Sequence, residues 1–331
     1  MSTEPTTFIG IDISKDYFDA ALRVEDRMLQ GRFENNKAGF RTFRKWLKKR
    51  TIRAARVCME ATGSYHEALA HFLYDYGYEV SVVNPRRIKA YRESLMMRNK
   101  TDKADALVIE DFCRAQWARL RLWEPPAPEV MVLQDMERRI EALKKMRTME
   151  KNRLKAGELA PIVREGIQAH IAFIEEEIRQ LEKAIQDHID DHASLQESSE
   201  LLTTIIGIGP KTAAVLMGEI KDIHQFERAK ELVAFGGVSP RVWQSGATVR
   251  GKPGISKAGN PRIRKVLYYP ALTAMRYNPM VRDLCQRLEA KGKPKKVIIV
   301  AAMRKLLHIV FGVWKSGQPF DPAYEQRCQP T

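Results

Sequence analysis

Apolar residues alternate with polar ones in short runs over the first eighty or so positions, and longer runs of three- and four-residue spacing fall between them. Phe8 to Asp12, Tyr17 to Val24 and Met28 to Phe33 have the period and β-branched or aromatic content of strands. A helix is expected from Lys37 to Lys49, a strand from Arg56 to Glu60, a helix from His66 to Tyr76 and a strand from Tyr78 to Val83. Three strands followed by alternating helix and strand specify an α/β domain with a mixed sheet. A further helix is expected over Asp102 to Ala118, and the proline-rich stretch Glu124 to Pro128 then breaks the chain, placing a domain over residues 1–124.

The texture then changes. Leu133, Met136, Ile140 and Leu143, and later Ile167, Ile171, Ile174, Ile178, Leu181 and Ile185, describe two amphipathic helices turning near Gly157 to Pro161. They read as a coiled-coil linker over residues 125–195, as an antiparallel hairpin or as the seam of a dimer. Residues 196–331 read as a mostly helical C-terminal domain. Its segment Leu201 to Ile220 forms two short helices about Gly207-Ile208-Gly209, similar to a helix-hairpin-helix element whose backbone N–H groups and Lys211 suit a phosphate. The same glycines also suit a tight helix pair with no ligand. The expected fold class is therefore α/β plus α.

Charge narrows the partners. The 331 residues carry 56 Lys and Arg against 41 Asp and Glu, a formal net charge of +15, which favours a polyanion through counterion release. No apolar run of about 20 residues and no secretory leader is apparent, so a cytoplasmic protein without a membrane partner is expected. Cys58, Cys113, Cys285 and Cys328 are scattered without zinc-ligand spacing and read as reduced, mostly buried thiols.

The chemistry is suggested by carboxylates at strand ends. Asp12 closes Phe8-Ile9-Gly10-Ile11, Glu60 closes Arg56-Val57-Cys58-Met59, and Asp102 and Asp105 stand three apart, so on a helix both project from one face. Each alone is equally a turn residue or a helix cap. In this order they match the layout of ribonuclease H-like nucleases, particularly the RuvC-like resolvases, where hard oxygen ligands hold Mg²⁺ (or Mn²⁺) and two ions about 4 Å apart serve both sides of a phosphodiester. A basic track adjoins them: residues 84–103 contain Arg86, Arg87, Lys89, Arg92, Arg98, Lys100 and Lys103 against only Glu93 and Asp102. A second basic stretch, Ser239 to Pro270, holds Arg241, Arg250, Lys252, Lys257, Arg262, Arg264 and Lys265 and no acid. Within it Gln244-Ser245-Gly246 and Ile255-Ser256-Lys257-Ala258-Gly259-Asn260 allow close backbone approach, although Ser-Gly in a loop is ordinarily turn chemistry.

Taken together, Gly10-Ile11-Asp12, Glu60-Ala61-Thr62-Gly63-Ser64-Tyr65, Arg98-Asn99-Lys100-Thr101-Asp102-Lys103-Ala104-Asp105, Gly207-Ile208-Gly209, Phe235-Gly236-Gly237-Val238-Ser239-Pro240, Gln244-Ser245-Gly246, Ile255 to Asn260 and Arg304-Lys305-Leu306 carry a resemblance over the whole chain. The sequence resembles the DEDD transposases of the insertion-sequence family numbered one hundred and ten, the bridge-RNA-guided recombinases. Ile263-Arg264 stands where Leu-Arg is usual, a conservative departure. The resemblance implies a RuvC-like metal site of Asp12, Glu60, Asp102 and Asp105, and Ser245 as a nucleophile joined covalently to DNA. It further implies donor and target DNA, a structured noncoding bridge RNA, and a dimer or tetramer with composite active sites. Two rival readings are a plain RuvC-like nuclease that hydrolyses DNA junctions and a noncatalytic nucleic-acid-binding protein.

Overall fold

The computed structural model describes residues 7–24, 27–61, 63–96, 102–241, 244–245, 249–250, 254–256 and 258–323; at 102–104, 241, 244–245 and 249–250 the description is of the backbone. The chain divides into two compact units, Met1–Pro125 and Pro126–Thr331.

In the first unit, β1 (Phe8–Ile13), β2 (Tyr17–Val24) and β3 (Arg27–Glu34) form an antiparallel meander, and β4 (Arg56–Glu60) and β5 (Glu79–Val83) continue the sheet in parallel with β1. The strand order is β3-β2-β1-β4-β5. Strand alternation sorts the residues onto two faces. Ile9, Ile11, Phe18, Leu22, Val57 and Met59 share one face with Phe40, Phe43 and Leu47 of α1 (Lys37–Lys48) and Leu69 and Leu73 of α2 (Glu67–Asp75). Phe18 and Phe43 are fully buried edge-to-face at 5.3 Å, each leaving water at a gain of about 2–3 kcal/mol. Phe8, Cys58 and Val83 lie on the other face under Val108, Ile109, Phe112 and Cys113 of α4 (Asp102–Gln116) and Ile88 of α3 (Pro85–Ser94).

Gly10 sets how closely α4 approaches. A Cβ there would lie 2.1 Å from the Glu110 backbone nitrogen and 2.3 Å from the Ala106 carbonyl oxygen, so any side chain would lift the helix off the strand. Every strand expected from the sequence forms, β1 running one residue further to Ile13, β3 one residue further at each end and β5 beginning one residue later at Glu79. Helix α3 is additional to those expectations. Asn84 caps it, its side chain accepting from the Arg86 N–H, and Pro85 begins it, but only Ile88 is buried, so it carries no apolar stripe to announce it.

The second unit is helical around one continuous core. Helices α5 (Pro128–Lys155) and α6 (Pro161–Asp190) form an antiparallel hairpin, crossed by Lys151–Glu175 at 2.8 Å near its tip and by the His188 ring nitrogen and Glu129 carbonyl oxygen at 2.9 Å near its base. Their apolar residues join those of α7 (Ala193–Thr203), α8 (Pro210–Ile220), α9 (Ala229–Phe235), α10 (Pro261–Val266), α11 (Tyr268–Tyr277), α12 (Pro279–Ala290) and α13 (Lys295–Ser316). Between α9 and α10 the chain makes a small β excursion. There β6 (Pro240–Arg241) pairs with β9 (Gly254–Ile255), enclosing β7 (Gln244–Ser245) paired with β8 (Val249–Arg250).

One expectation is corrected. Helix α13 spans 22 residues with a mean hydropathy of 1.8 in its most apolar window, long and apolar enough to cross a membrane by length and composition. Ala302, Leu306 and Val310 are fully buried in the unit's core, which accounts for that apolarity.

A half-buried acid on the hairpin predicts a pH response. Burial pushes the Glu137 carboxyl up to about 7, with Glu182 and Glu219 adding and Lys144 and Lys211 opposing. The folded state therefore holds a proton that the unfolded state has released, and stability falls as pH rises from about 4.5 through 7. Glu137→Gln is expected to raise stability at pH 8 by about 2 kcal/mol and to flatten this dependence, as read by denaturant melts at pH 5 and pH 8.

Candidate active site

Strand register places the first two acids together. Residues Phe8 to Ile11 pair in parallel with Arg56 to Met59, and one step further along both strands stand Asp12 and Glu60, at the carboxyl ends and on the face that α4 covers. On the other side of β1, Asp12 pairs with Asp19 of β2, which pairs in turn with Arg32 of β3. A row Arg32–Asp19–Asp12–Glu60 thus crosses four strands on one face. Asp19 is 5% exposed, and its carboxylate accepts two bonds from Arg32, from Nε at 3.0 Å and from Nη2 at 2.8 Å. A bidentate guanidinium of this kind neutralises the buried acid. Asp19 was not among the candidates from sequence, although an acid between Phe18 and Ala20 in an apolar strand is a signal that was available.

Helix α4 brings the other two acids to the same end. The Cys113 thiol lies 3.8 Å from the Arg56 carbonyl oxygen near the start of β4, whereas Ala106 lies over Gly10, two residues before Asp12. The helix therefore runs opposite to β1 and β4, and its first turn, with Asp102 and Asp105, points toward the strand ends that carry Asp12 and Glu60. The Asp102 side chain lies outside the described residues. Asp105 is held by Arg92 of α3, whose Nη2 donates to Oδ1 at 2.5 Å, with side-chain exposures of 18% and 13%.

Supporting contacts fix the surroundings. Asn35, between β3 and α1, donates from Nδ2 to the Ser14 carbonyl at 2.9 Å and to the Tyr65 carbonyl at 3.1 Å, tying the loop after Asp12 to the loop after Glu60. The Tyr91 hydroxyl donates to Asp111 Oδ2 at 2.7 Å, and burial together with that carboxylate pushes its pKa up to about 12. Glu110 is buried between Arg114, 3.6 Å away, and Arg23, and burial raises its pKa against both charges. Cys58 and Cys113 are buried free thiols beside one another, and Cys285 is a third; Cys328 lies outside the described residues.

The donor set suits a hard divalent cation, since every candidate ligand is a carboxylate and the position beside Asp105 already accepts positive charge from a guanidinium. Among the described residues no three His, Cys, Asp or Glu side chains stand in a metal-binding group, and the four-acid set requires Asp102.

In the second unit the backbone of Ser245 lies on β7, opposite Val249. The base of this excursion is tightly packed. A Cβ at Gly259 would lie 2.3 Å from the Phe235 carbonyl oxygen and 2.6 Å from the Gly237 nitrogen, so these motif glycines serve close chain packing. Asn260 donates to Glu219 Oε2 at 2.6 Å and caps α10.

The basic candidates divide. Arg86, Arg87 and Lys89 are exposed on α3, Lys89 lying 3.9 Å from Glu93. Lys211 contacts Glu182 at 2.8 Å, Arg262 contacts Glu141 at 2.8 Å and Glu219 at 3.8 Å, and Lys265 contacts Glu141 at 3.1 Å. Arg264 donates to the Gly236 and Gly259 carbonyls, and burial lowers its pKa. The Gly207 turn, at φ +109°, packs against α11, where a Cβ would lie 2.9 Å from the Pro270 carbonyl oxygen, while the space around Gly209 is open. Arg98, Lys100, Lys252 and Lys257 lie outside the described residues, as does the Arg250 side chain.

Comparison with known proteins supplies the family. Residues 9–157 match a transposase family model, the DEDD type of IS110, and residues 199–286 match the model described as "Transposase IS116/IS110/IS902 family". The chain is 35% identical over 319 residues to the "Pilin gene-inverting protein" of Moraxella bovis, covering 95% of this chain and 98% of that one. It is 26% identical over 311 residues to the "Transposase for insertion sequence element IS1111A" of Coxiella burnetii, covering 83% and 80%. The chain belongs to the IS110 family of transposases and is a DNA transposase/recombinase.

Proposed function

We propose that the protein cuts and rejoins DNA through a serine-linked intermediate, using Asp12, Glu60, Asp102 and Asp105 as a RuvC-like metal site and Ser245 as the nucleophile, under the direction of a structured bridge RNA. The observation that carries it is the convergence on one sheet end of Asp12, Glu60 and the first turn of α4. Mg²⁺ or Mn²⁺ held there would neutralise the scissile phosphate and favour a deprotonated hydroxyl. The Ser245 oxygen attacks phosphorus, the bond from phosphorus to the 3′ oxygen breaks, and the freed 3′ hydroxyl takes up a proton. A 3′ hydroxyl from the partner strand later attacks the phosphoserine and releases Ser245, so bond energy is conserved and no nucleotide is consumed.

Acids of one subunit meet the serine of another in this scheme, within a dimer or tetramer held by the α5–α6 hairpin acting as a coiled coil. The exposed Arg86, Arg87 and Lys89 contact phosphates of the DNA or RNA, while base pairing supplies sequence. Kinship to a protein named for inverting a pilin gene favours rejoining over hydrolysis, because inversion requires that the ends be sealed. The test is a denaturing gel with end-labelled donor and target DNA and the RNA that copurifies with the protein. In Mg²⁺, but not in EDTA, labelled DNA is expected to migrate with the protein. A nick with no protein-linked DNA would leave only a hydrolytic nuclease.

A further inference from the structure

The arginine on Asp105, Arg92, differs from Arg86, Arg87 and Lys89 of the same helix in meeting one of the four candidate acids. Helix α3 is fixed against α4 by Ile88, by Tyr91 edge-to-face on Phe112 at 5.3 Å, and by the Tyr91–Asp111 bond. This packing carries Arg92 to the first turn of α4, where its guanidinium meets Asp105 at 2.5 Å. Asp19 and Arg32, on the same face of the sheet, form a bidentate pair in which the carboxylate is 7% and the guanidinium 47% exposed, and neither is one of the four candidate ligands. Arg92 instead engages an acid that the four-carboxylate site needs, and it projects from the helix whose Arg86, Arg87 and Lys89 are exposed.

We propose that Arg92 is a counter-ion switch: it neutralises Asp105 before metal loading, is displaced when a divalent cation takes that carboxylate, and then contacts a DNA phosphate. This rests on the metal-site reading given under Proposed function. The physical ground is exclusion. A guanidinium and a dication on one carboxylate repel each other, and the dication holds the greater charge. A released guanidinium retains donors whose fork geometry fits phosphate as well as carboxylate. Arg92 thus keeps like-charged acids from repelling one another in the empty site, and it becomes available for nucleic acid only when the site is loaded. It acts on the metal through Asp105 and is in that respect a positioning residue.

The test is Mn²⁺ binding to the full chain without nucleic acid, with free Mn²⁺ followed by electron paramagnetic resonance. Arg92→Gln is expected to tighten Mn²⁺ binding roughly tenfold, because the competing cation is gone, whereas Arg92→Lys stays near the parent. Arg92→Met, which keeps the aliphatic stem, repeats the measurement should the glutamine variant fail to fold. A merely structural clamp gives the opposite sign, since loss of the clamp would loosen Asp105 and weaken binding. Weaker or unchanged Mn²⁺ binding overturns the switch. Absence of Mn²⁺ binding by the parent overturns the metal site itself, which separates the two failures. The second readout is the salt dependence of DNA binding: Arg92→Gln is expected to lower the slope by about one in Mg²⁺ and to leave it unchanged in EDTA. An equal loss in both would make Arg92 an ordinary phosphate contact and sink the inference.

Discussion

Replacing Asp12 with asparagine is expected to lower the rate of DNA strand cleavage about a thousandfold while the melting temperature holds. Asp12 lies in a row with Asp19 and Glu60 on neighbouring strands, beneath the helix turn that brings Asp102 and Asp105. Asparagine keeps the size and shape of aspartate while it removes the ligand charge, and the neighbouring Asp19 already carries its own guanidinium from Arg32. A purely structural carboxylate predicts cleavage near the parent rate, because asparagine serves in a turn or cap about as well as aspartate. Single-turnover cleavage at saturating Mg²⁺, set beside a thermal melt, tells the two apart. Cleavage at the parent rate would mean that Asp12 holds no metal.

The second large effect is at the other end of the chain. Ser245→Ala is expected to reduce the protein–DNA adduct to background while the copurified RNA is retained at the parent level. The substitution removes only the hydroxyl, at a position whose backbone lies on β7 opposite Val249. Loss of both adduct and nick fits a nucleophile, since no water replaces it in the first step. Loss of the adduct with the nick retained would show that water can take the place of the serine, leaving a hydrolysed end that cannot be rejoined. An adduct undiminished in the variant would remove Ser245 from the mechanism.

Much of the first unit was readable along the chain. Strands β1, β2 and β4 reveal themselves as short apolar runs because both of their faces are covered, and a displaced register would turn Ile9, Ile11 and Phe18 away from their core. The strand ends at Asp12 and Glu60 are readable for the same reason: an acid terminates an apolar run where the sheet meets solvent. Helix α3 was not readable, because nearly all its residues are polar and its stability comes from the cap at Asn84 and from contact with α4. The basic candidates show the limit most clearly. Arg262 and Lys265 form a phosphate-seeking run in one dimension, yet both meet Glu141, more than a hundred residues earlier. Composition counts charge but does not reveal which charges face one another.

What followed from the residues alone was the identity of the elements, the presence of acids at strand termini, the basic excess and the motifs that mark the family. All of these depend on neighbours within a few positions, where helix and strand periodicity is legible. Which acids share a face, that Asp19 stands beside Asp12, that Arg92 reaches Asp105, and that the apolar length of α13 belongs to a core came only from the folded chain. These pairings, some between residues only seven or thirteen apart, are chosen by the register of strands and the packing of helices, which residue type and periodicity do not state.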